Sequence, residues 1–296
     1  MGFKIGLALG GGGSKGLAHL GVIKALEEAD IAIDIVTGAS IGAVVGAIYS
    51  TNAQIHNVIK QIHDYLHSED FQRTRLEFIK NSQFEENSYI RLKKFLKTGI
   101  FLALSLQKKS FISNEEFKSN LEYIVPDMRI EDCKVTLGLV SMDLQTGREI
   151  VFTRGNLIEC VMASSAIPGI FPPLETDDNE VLVDGSWVNP IPSSVAKRLG
   201  ADFIIAVDVT PRISDDIRGD NGWNISLRAS EATRLSLKNH NLQIADHSIS
   251  IDLTDVHWAD FLQIDRCLAA GEQVMIENLE ILKKKLFWRK LKSKIF

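Results

Sequence analysis

Apolar and polar positions along this chain follow two periods, and the switches between them mark out the elements. Phe3 to Leu9 is an apolar run of strand length that ends in the glycines Gly10 to Gly13 and Ser14. From Lys15 to Asp30 the residues Leu17, Leu20, Ile23 and Leu26 recur at helical spacing, which predicts an amphipathic helix. Ile33 to Thr37 predicts a second strand. The stretch Ala43 to Tyr49 predicts a helix immediately after it, and Gln54 to His67 another. Residues 70–112 are polar and mixed, and a helical cap fits them best. Ser113-Asn114-Glu115-Glu116 has capping-box spacing and opens a helix to Ile124, stopped by Pro126. Lys134 to Asp143 and Glu149 to Thr153 predict strands around the turn Gln145-Thr146-Gly147. A helix is expected from Leu157 to Ala166, ended by Pro168-Gly169. Short strands follow at Val181 to Val183 and Phe203 to Val209, then long helices at Trp223 to Ala245 and Asp265 to Leu286. Strands alternating with helices predict an α/β fold, with a parallel or mixed sheet covered on both faces.

The chain has 296 residues, enough for a sizeable core, and its composition is that of an ordinary globular protein. A net charge of −5 argues against nucleic acid as a partner. That charge is unevenly spread: residues 283–296 carry seven basic side chains and no acidic one, which leaves the rest at −12. Cys133, Cys160 and Cys267 are odd in number and widely spaced, which points to free thiols in a reducing compartment. The seven histidines form no metal-ligand pattern. The N-terminal apolar run enters glycines too early for a signal peptide and reads as a first strand. The apolar run Ile100 to Leu106 is too short to span a bilayer.

Three segments carry candidate chemistry. Gly38-Ala39-Ser40-Ile41-Gly42 lies between the second strand and its helix, the setting of a nucleophile elbow, in which a strained turn raises the serine hydroxyl. A plain helix N-cap is the alternative reading of Ser40. Gly10-Gly11-Gly12-Gly13-Ser14-Lys15-Gly16 turns successive backbone amides into one concavity, suited either to a phosphate or to an oxyanion. Its Gly11-x-Gly13-x-x-Gly16 spacing formally fits a dinucleotide loop. That reading needs an acidic residue ending the second strand, whereas Asp34 lies inside it and reads as structural. In Val181-Leu182-Val183-Asp184-Gly185-Ser186 an aspartate ends an apolar strand, either as a base or as part of an ordinary Asp-Gly turn. No histidine stands where a triad needs one, since His240, His247 and His257 fall in helical or polar contexts. This weighs against a standard α/β-hydrolase and favours a Ser–Asp dyad.

In this order and spacing, Gly11-Gly12-Gly13-Ser14-Lys15-Gly16, Gly38-Ala39-Ser40-Ile41-Gly42 and Asp184-Gly185-Ser186 resemble the patatin-like phospholipase family. Ala163-Ser164-Ser165-Ala166-Ile167-Pro168-Gly169-Ile170-Phe171-Pro172-Pro173 is similar to its bacterial members. The resemblance covers about residues 4–210 and implies a three-layer αβα sandwich with a mixed, mostly parallel sheet and a helical cap. It implies Ser40 as nucleophile, Asp184 as general base and the amides of Gly11, Gly12 and Gly13 as oxyanion hole. Lys15, Gly16, Gly38, Gly42, Gly185 and Ser186 support these motifs. Lys15 either helps hold a lipid phosphate or is a solvated first-turn lysine. Ser186 departs from the Gly or Ala usual there, which bears on packing beside Asp184. His19 reads as a packed helical residue.

The activity implied is hydrolysis of fatty-acyl esters of phospholipids or related lipids, without metal or organic cofactor. A thioesterase or general carboxylesterase shares the same residues, and a non-catalytic lipid-binding protein is the remaining alternative. The expected organisation is a catalytic domain over 1–210 with a cap insertion at 70–125, a helical completion of that domain over 211–282, and a basic amphipathic tail over 283–296. The tail carries Phe287, Trp288, Leu291 and Ile295 at near-helical spacing, suited to an anionic membrane surface or else a frayed terminus. Tyr89 to Leu96 with Ile100 to Leu106 reads as a lid or as a buried cap helix. Trp187 is a candidate lining of the acyl pocket. The expected location is the cytoplasm with peripheral contact at the inner membrane face, and self-association through an apolar cap is allowed.

Overall fold

A computed structural model describes residues 2–72, 74, 109–210 and 222–293. Most of the expected cap insertion, including Tyr89 to Leu96 and Ile100 to Leu106, lies outside the described residues, as does Ile295.

The first half of the fold is built from β1 (Ile5–Leu9), α1 (Ala18–Glu28), β2 (Ile35–Ala39), α2 (Ile41–Asn52), α3 (Ile55–Leu66) and the short α4 (Glu69–Gln72). Then come α5 (Asn114–Glu122), β3 (Thr136–Asp143), β4 (Glu149–Phe152), α6 (Leu157–Ser165), β5 (Leu174–Glu175) and β6 (Val181–Asp184). The chain closes with α7 (Ser193–Arg198), β7 (Phe203–Asp208), α8 (Gly222–Ile244), β8 (His247–Ser250) and α9 (Ile264–Lys292). Ser113 caps this helix as expected, its Oγ accepting from the Glu116 amide at 3.2 Å. The helix expected from Lys15 instead opens with a 3-10 turn over Gly13–Leu17, which continues the glycine loop into α1.

Eight strands form one sheet in the order β5-β6-β3-β2-β1-β7-β8, with β4 also pairing β3. β3, β2, β1, β7 and β8 are mutually parallel, while β4 and β6 run antiparallel to β3. The sequence of β1, Ile5-Gly6-Leu7-Ala8-Leu9, explains how this sheet is covered. Its large residues Ile5, Leu7 and Leu9 point into the main core beneath α1, α2, α3, α6 and α9. Its small residues face α7 closely, where Ala8 packs with Ile191, Ala196, Ile204 and Ala206. The result is a three-layer α/β fold with one thick and one thin helical layer.

Two side chains fix strand starts. Asp34 Oδ2 accepts from the Ile5 amide at 2.8 Å, a structural role as the sequence predicts. Asp246 Oδ2 accepts from the Ile204 amide at 2.9 Å. The segment 283–292 is not a separate tail, because α9 runs through it unbroken. Leu286 is buried there, and Lys285 Nζ donates to the Asp246 carbonyl at 2.9 Å. Among the described residues no helix is long and apolar enough to cross a membrane.

Candidate active site

The C-terminal ends of the parallel strands converge on one cleft, the usual place for a site in an open α/β sheet. β1 runs into the glycine loop and β2 into Ser40, while the antiparallel β6 ends on Asp184 opposite Ser141 of β3. Ser40 has φ 56° and ψ −128°, a conformation that costs free energy in an L-residue and that a rigid surround must hold. That surround includes Gly38 and Gly42. A Cβ on Gly38 would strike the Gly42 carbonyl, and one on Gly42 would strike the Leu9 carbonyl, so the elbow closes only over glycine.

The end of α6 fixes both Ser40 and Asp184. The Ser40 amide donates to the Ser164 carbonyl at 3.0 Å, and the Asp184 amide to the Ala166 carbonyl at 3.0 Å. Ser141 Oγ ties the same corner together, donating to the carbonyls of Val183 at 2.6 Å and Ala163 at 3.1 Å. The sequence shows Ala163 to Ala166 only as part of a family motif; its positioning role comes from backbone carbonyls, which no side-chain pattern reports.

Asp184 is buried and lines the cleft together with Ser40. Its Oδ1 accepts from the Ser186 amide at 2.8 Å. Burial pushes its carboxyl above the ordinary range, opposed by the neighbouring Ser40 hydroxyl, by Ser186 and by the charge of Arg234. The Ser186 hydroxyl occupies the space beside Gly11 that a Cβ there would need. Gly185 lies against the Val140 carbonyl, so the turn after Asp184 also packs backbone to backbone.

The glycine loop wraps the same cleft, and Gly11, Gly12 and Gly13 all line it beside Ser40. Their amides are not equivalent. The Gly11 amide donates to the Pro190 carbonyl at 3.1 Å, whereas among the described residues those of Gly12 and Gly13 meet no acceptor. Gly13 adopts φ 61°, which sets the turn into the 3-10 segment. Behind the loop, His19 Nε2 donates to the Gly10 carbonyl at 2.8 Å. Gly16 packs against Ile41, joining loop to elbow. Lys15 does not line the cleft. It is buried, with its pKa lowered by burial against the opposing charges of Asp252 and Asp255. A solvated first-turn lysine is therefore not what the fold holds, and the side chain faces away from Ser40's cavities.

Residues 7–197 match the family model for patatin-like phospholipases. This chain belongs to the patatin-like phospholipase family. It is 33% identical over 227 residues to neuropathy target esterase sws of Drosophila melanogaster, across 75% of this chain and 14% of that protein. It is 32% identical over 224 residues to patatin-like phospholipase domain-containing protein 7 of Mus musculus, across 74% of this chain and 15% of that protein. Lysophospholipase nte1 of Aspergillus fumigatus is 31% identical over 236 residues, across 74% of this chain and 14% of that protein. The chain thus spans a small part of the length of these relatives. Among solved structures, VipD from Legionella pneumophila aligns with a TM-score of 0.48 at 16% identity, over 94% of this chain and 66% of that one.

Two cavities meet at Ser40 in this family member. One is almost entirely apolar and runs between α2, α3 and α5, past Val44, Ile62, Leu66, Phe117 and Leu121. Its volume is about 120 Å3. An apolar cavity of about 150 Å3 stays dry and takes a hydrocarbon guest, so this one is of the right kind for an alkyl segment. The other is a wider polar cleft between the glycine loop, Trp187 and α8. Trp187 lines this cleft and not the apolar cavity, because the short turn Gly185–Trp187 carries it past Asp184 to the polar side. The sequence also gave no sign of Lys238 and Asp208, a largely buried ion pair at 2.9 Å that ties α8 to the end of β7. The partners are separated by thirty positions and meet only through the fold.

Proposed function

We propose that the chain is a serine lipid acyl hydrolase working through a Ser40–Asp184 dyad. The carrying observation is a serine at a strained elbow, sharing one cleft with a buried carboxylate, where an apolar cavity and a polar cleft join. The acyl chain of the substrate enters the apolar cavity, which brings its ester carbonyl over Ser40. Asp184 takes the hydroxyl proton as Ser40 Oγ attacks the carbonyl carbon. The raised proton affinity of Asp184 suits this step, since a stronger base takes the proton more readily. The resulting oxyanion is met by the amides of Gly12 and Gly13, worth about 3–4 kcal/mol for each well-placed donor. Gly11, whose amide is held by Pro190, shapes the loop in this scheme rather than donating. The C–O bond then breaks, and the proton on Asp184 passes to the departing alcohol oxygen. Water, deprotonated by Asp184, attacks the acyl-serine; the fatty acid leaves and Ser40 recovers its proton.

The lipid class follows from family membership and from the largely apolar lining of the acyl cavity. The three cysteines are unpaired, which agrees with a cytoplasmic setting. The test is fatty-acid release from phospholipid vesicles of defined composition, alongside hydrolysis of a soluble p-nitrophenyl ester. Ser40→Ala and Asp184→Asn are each expected to lower both activities by roughly four orders of magnitude. Undiminished turnover in either folded variant rules out the dyad. Loss of soluble-ester turnover in the variants, with no wild-type activity on lipid, keeps the chemistry and removes the lipid assignment.

A further inference from the structure

Helix α8 presents a charged face to the polar cleft. Arg228, Glu231, Arg234 and Lys238 fall about one helical turn apart and line it together with Ser40 and Asp184. These four charges are not equally available. Lys238 is spent on Asp208 at 2.9 Å. Arg228, half-buried, stands 3.6 Å from the exposed Glu231, a pair that solvent partly screens. Arg234 is different. Its guanidinium lies over the Trp187 ring at 5.4 Å, and among the described residues no carboxylate comes within ion-pair distance of it. Its charge acts on Asp184, so it lies close to the reacting end of the cleft.

Resting on the dyad reading above, we propose that Arg234, with Arg228 beside it, forms a subsite for the phosphate of a glycerophospholipid headgroup. When the acyl chain fills the apolar cavity and the ester carbonyl sits over Ser40, the glycerol must leave through the polar cleft. The phosphate is a glycerol unit beyond the ester, and α8 is the wall it meets. The Trp187 ring keeps the guanidinium on the wall of the cleft, and the planar fork of N–H donors suits a bidentate anion, where arginine surpasses lysine. Glu231 sets a limit on the anion. Its carboxylate beside Arg228 disfavours a dianionic phosphate monoester and suits a phosphodiester of one negative charge, whose ammonium arm it can pair. Lys15, the basic residue of the glycine motif, is buried away from this cleft and does not serve it.

The test compares two esters with the same dodecanoyl chain, a lysophosphatidylcholine and a monoacylglycerol, in wild type, Arg234→Gln, Arg234→Lys and Arg228→Gln. The quantity read is the ratio of kcat/KM between the two esters, so that any effect of Arg234 on Asp184 divides out. Arg234→Gln is expected to lower that ratio roughly ten- to a hundredfold, Arg234→Lys less, and Arg228→Gln least. An unchanged ratio in Arg234→Gln overturns the subsite while leaving the dyad standing. A second readout needs no turnover: binding of the non-hydrolysable 1-O-dodecyl ether analogues of the two esters, followed by tryptophan fluorescence. Phosphate-dependent binding that is lost in Arg234→Gln supports the subsite even if neither ester is cleaved, the result that would sink the dyad alone. Inorganic phosphate is the remaining arm. If it inhibits monoacylglycerol hydrolysis in an Arg234-dependent way while the ester ratio stays unchanged, the site takes free anions and the headgroup assignment falls.

Discussion

His19 stays neutral inside the fold. Its Nε2–H donates to the Gly10 carbonyl, its buried Nδ1 meets no partner among the described residues, and burial lowers its pKa to about 4. In the unfolded chain the same imidazole titrates near its ordinary value of 6.5. Between these two values the unfolded state binds more protons than the native state, so stability falls as pH falls through that window. The contribution is fully present above pH 6.5 and is diminished by roughly 3 kcal/mol once pH reaches 4. His19→Gln removes the titration. Urea unfolding at a series of pH values is therefore expected to give a shallower decline for the variant than for wild type. Two parallel curves would show that the imidazole is not held neutral. The residue also links stability to chemistry, since the carbonyl it holds belongs to the loop that carries the Gly12 and Gly13 amides.

At the scale of elements, α1 and α9 cross backbone to backbone. A Cβ on Gly271 would strike the Ala18 carbonyl, and one on Gly21 the Leu268 carbonyl. Lys24 and Glu272 pair beside the crossing at 2.6 Å and fix its register. In an exposed helix, Gly→Ala adds about 1 kcal/mol of stability. Gly271→Ala is expected to do the opposite, lowering stability by about 1–3 kcal/mol through overpacking. Thermal unfolding decides it, and an unchanged or raised Tm would mean that the helices part without loss. This crossing also marks where the sequence stops being legible. β1, β2 and the elbow could be read because each joins an apolar run directly to a turn whose residue types have a local cause. Gly21 and Gly271 carry no local signal at all; they matter only because distant helices meet. The same holds for β8, whose four residues gain strand structure from pairing with β7, and for the face of α8. Arg234 and Lys238 carry no local signal either, until the fold sets Arg234 over Trp187 and Lys238 against Asp208. Ser40 and Asp184 were legible, whereas the carbonyls of Ser164 and Ala166 that hold them were not.

Across the whole molecule the two ends of the sheet do different work. The glycine loop, Ser40 and Asp184 gather at the C-terminal ends of the parallel strands. The end of α9 packs against the opposite side: Arg289 Nε donates to the Asp202 carbonyl at 3.2 Å, just before β7, and Lys290 stands over the Phe3 ring at 5.5 Å, just before β1. A strand of this length spans roughly 15–20 Å, so the basic segment is a sheet's depth away from the cleft. Some of its charge is thus used to seat the helix on the domain. Its exposed residues Phe287, Trp288 and Leu291 still form an apolar patch flanked by lysines, the composition of a surface that meets anionic lipid. A patch so placed is expected to tether the protein to a bilayer with the cleft turned away from it. The double substitution Phe287→Ser with Trp288→Ser leaves the buried Leu286 in place, so the domain is expected to stay folded. Sedimentation with anionic vesicles should then show weaker binding, while soluble-ester turnover stays at the wild-type level. Hydrolysis of vesicle lipid should drop at low lipid and recover as lipid is raised, because only recruitment has been lost. Vesicle binding unchanged by the double substitution would remove the tether, and a deficit in lipid hydrolysis that persists at saturating lipid would place the patch at the site of lipid entry instead.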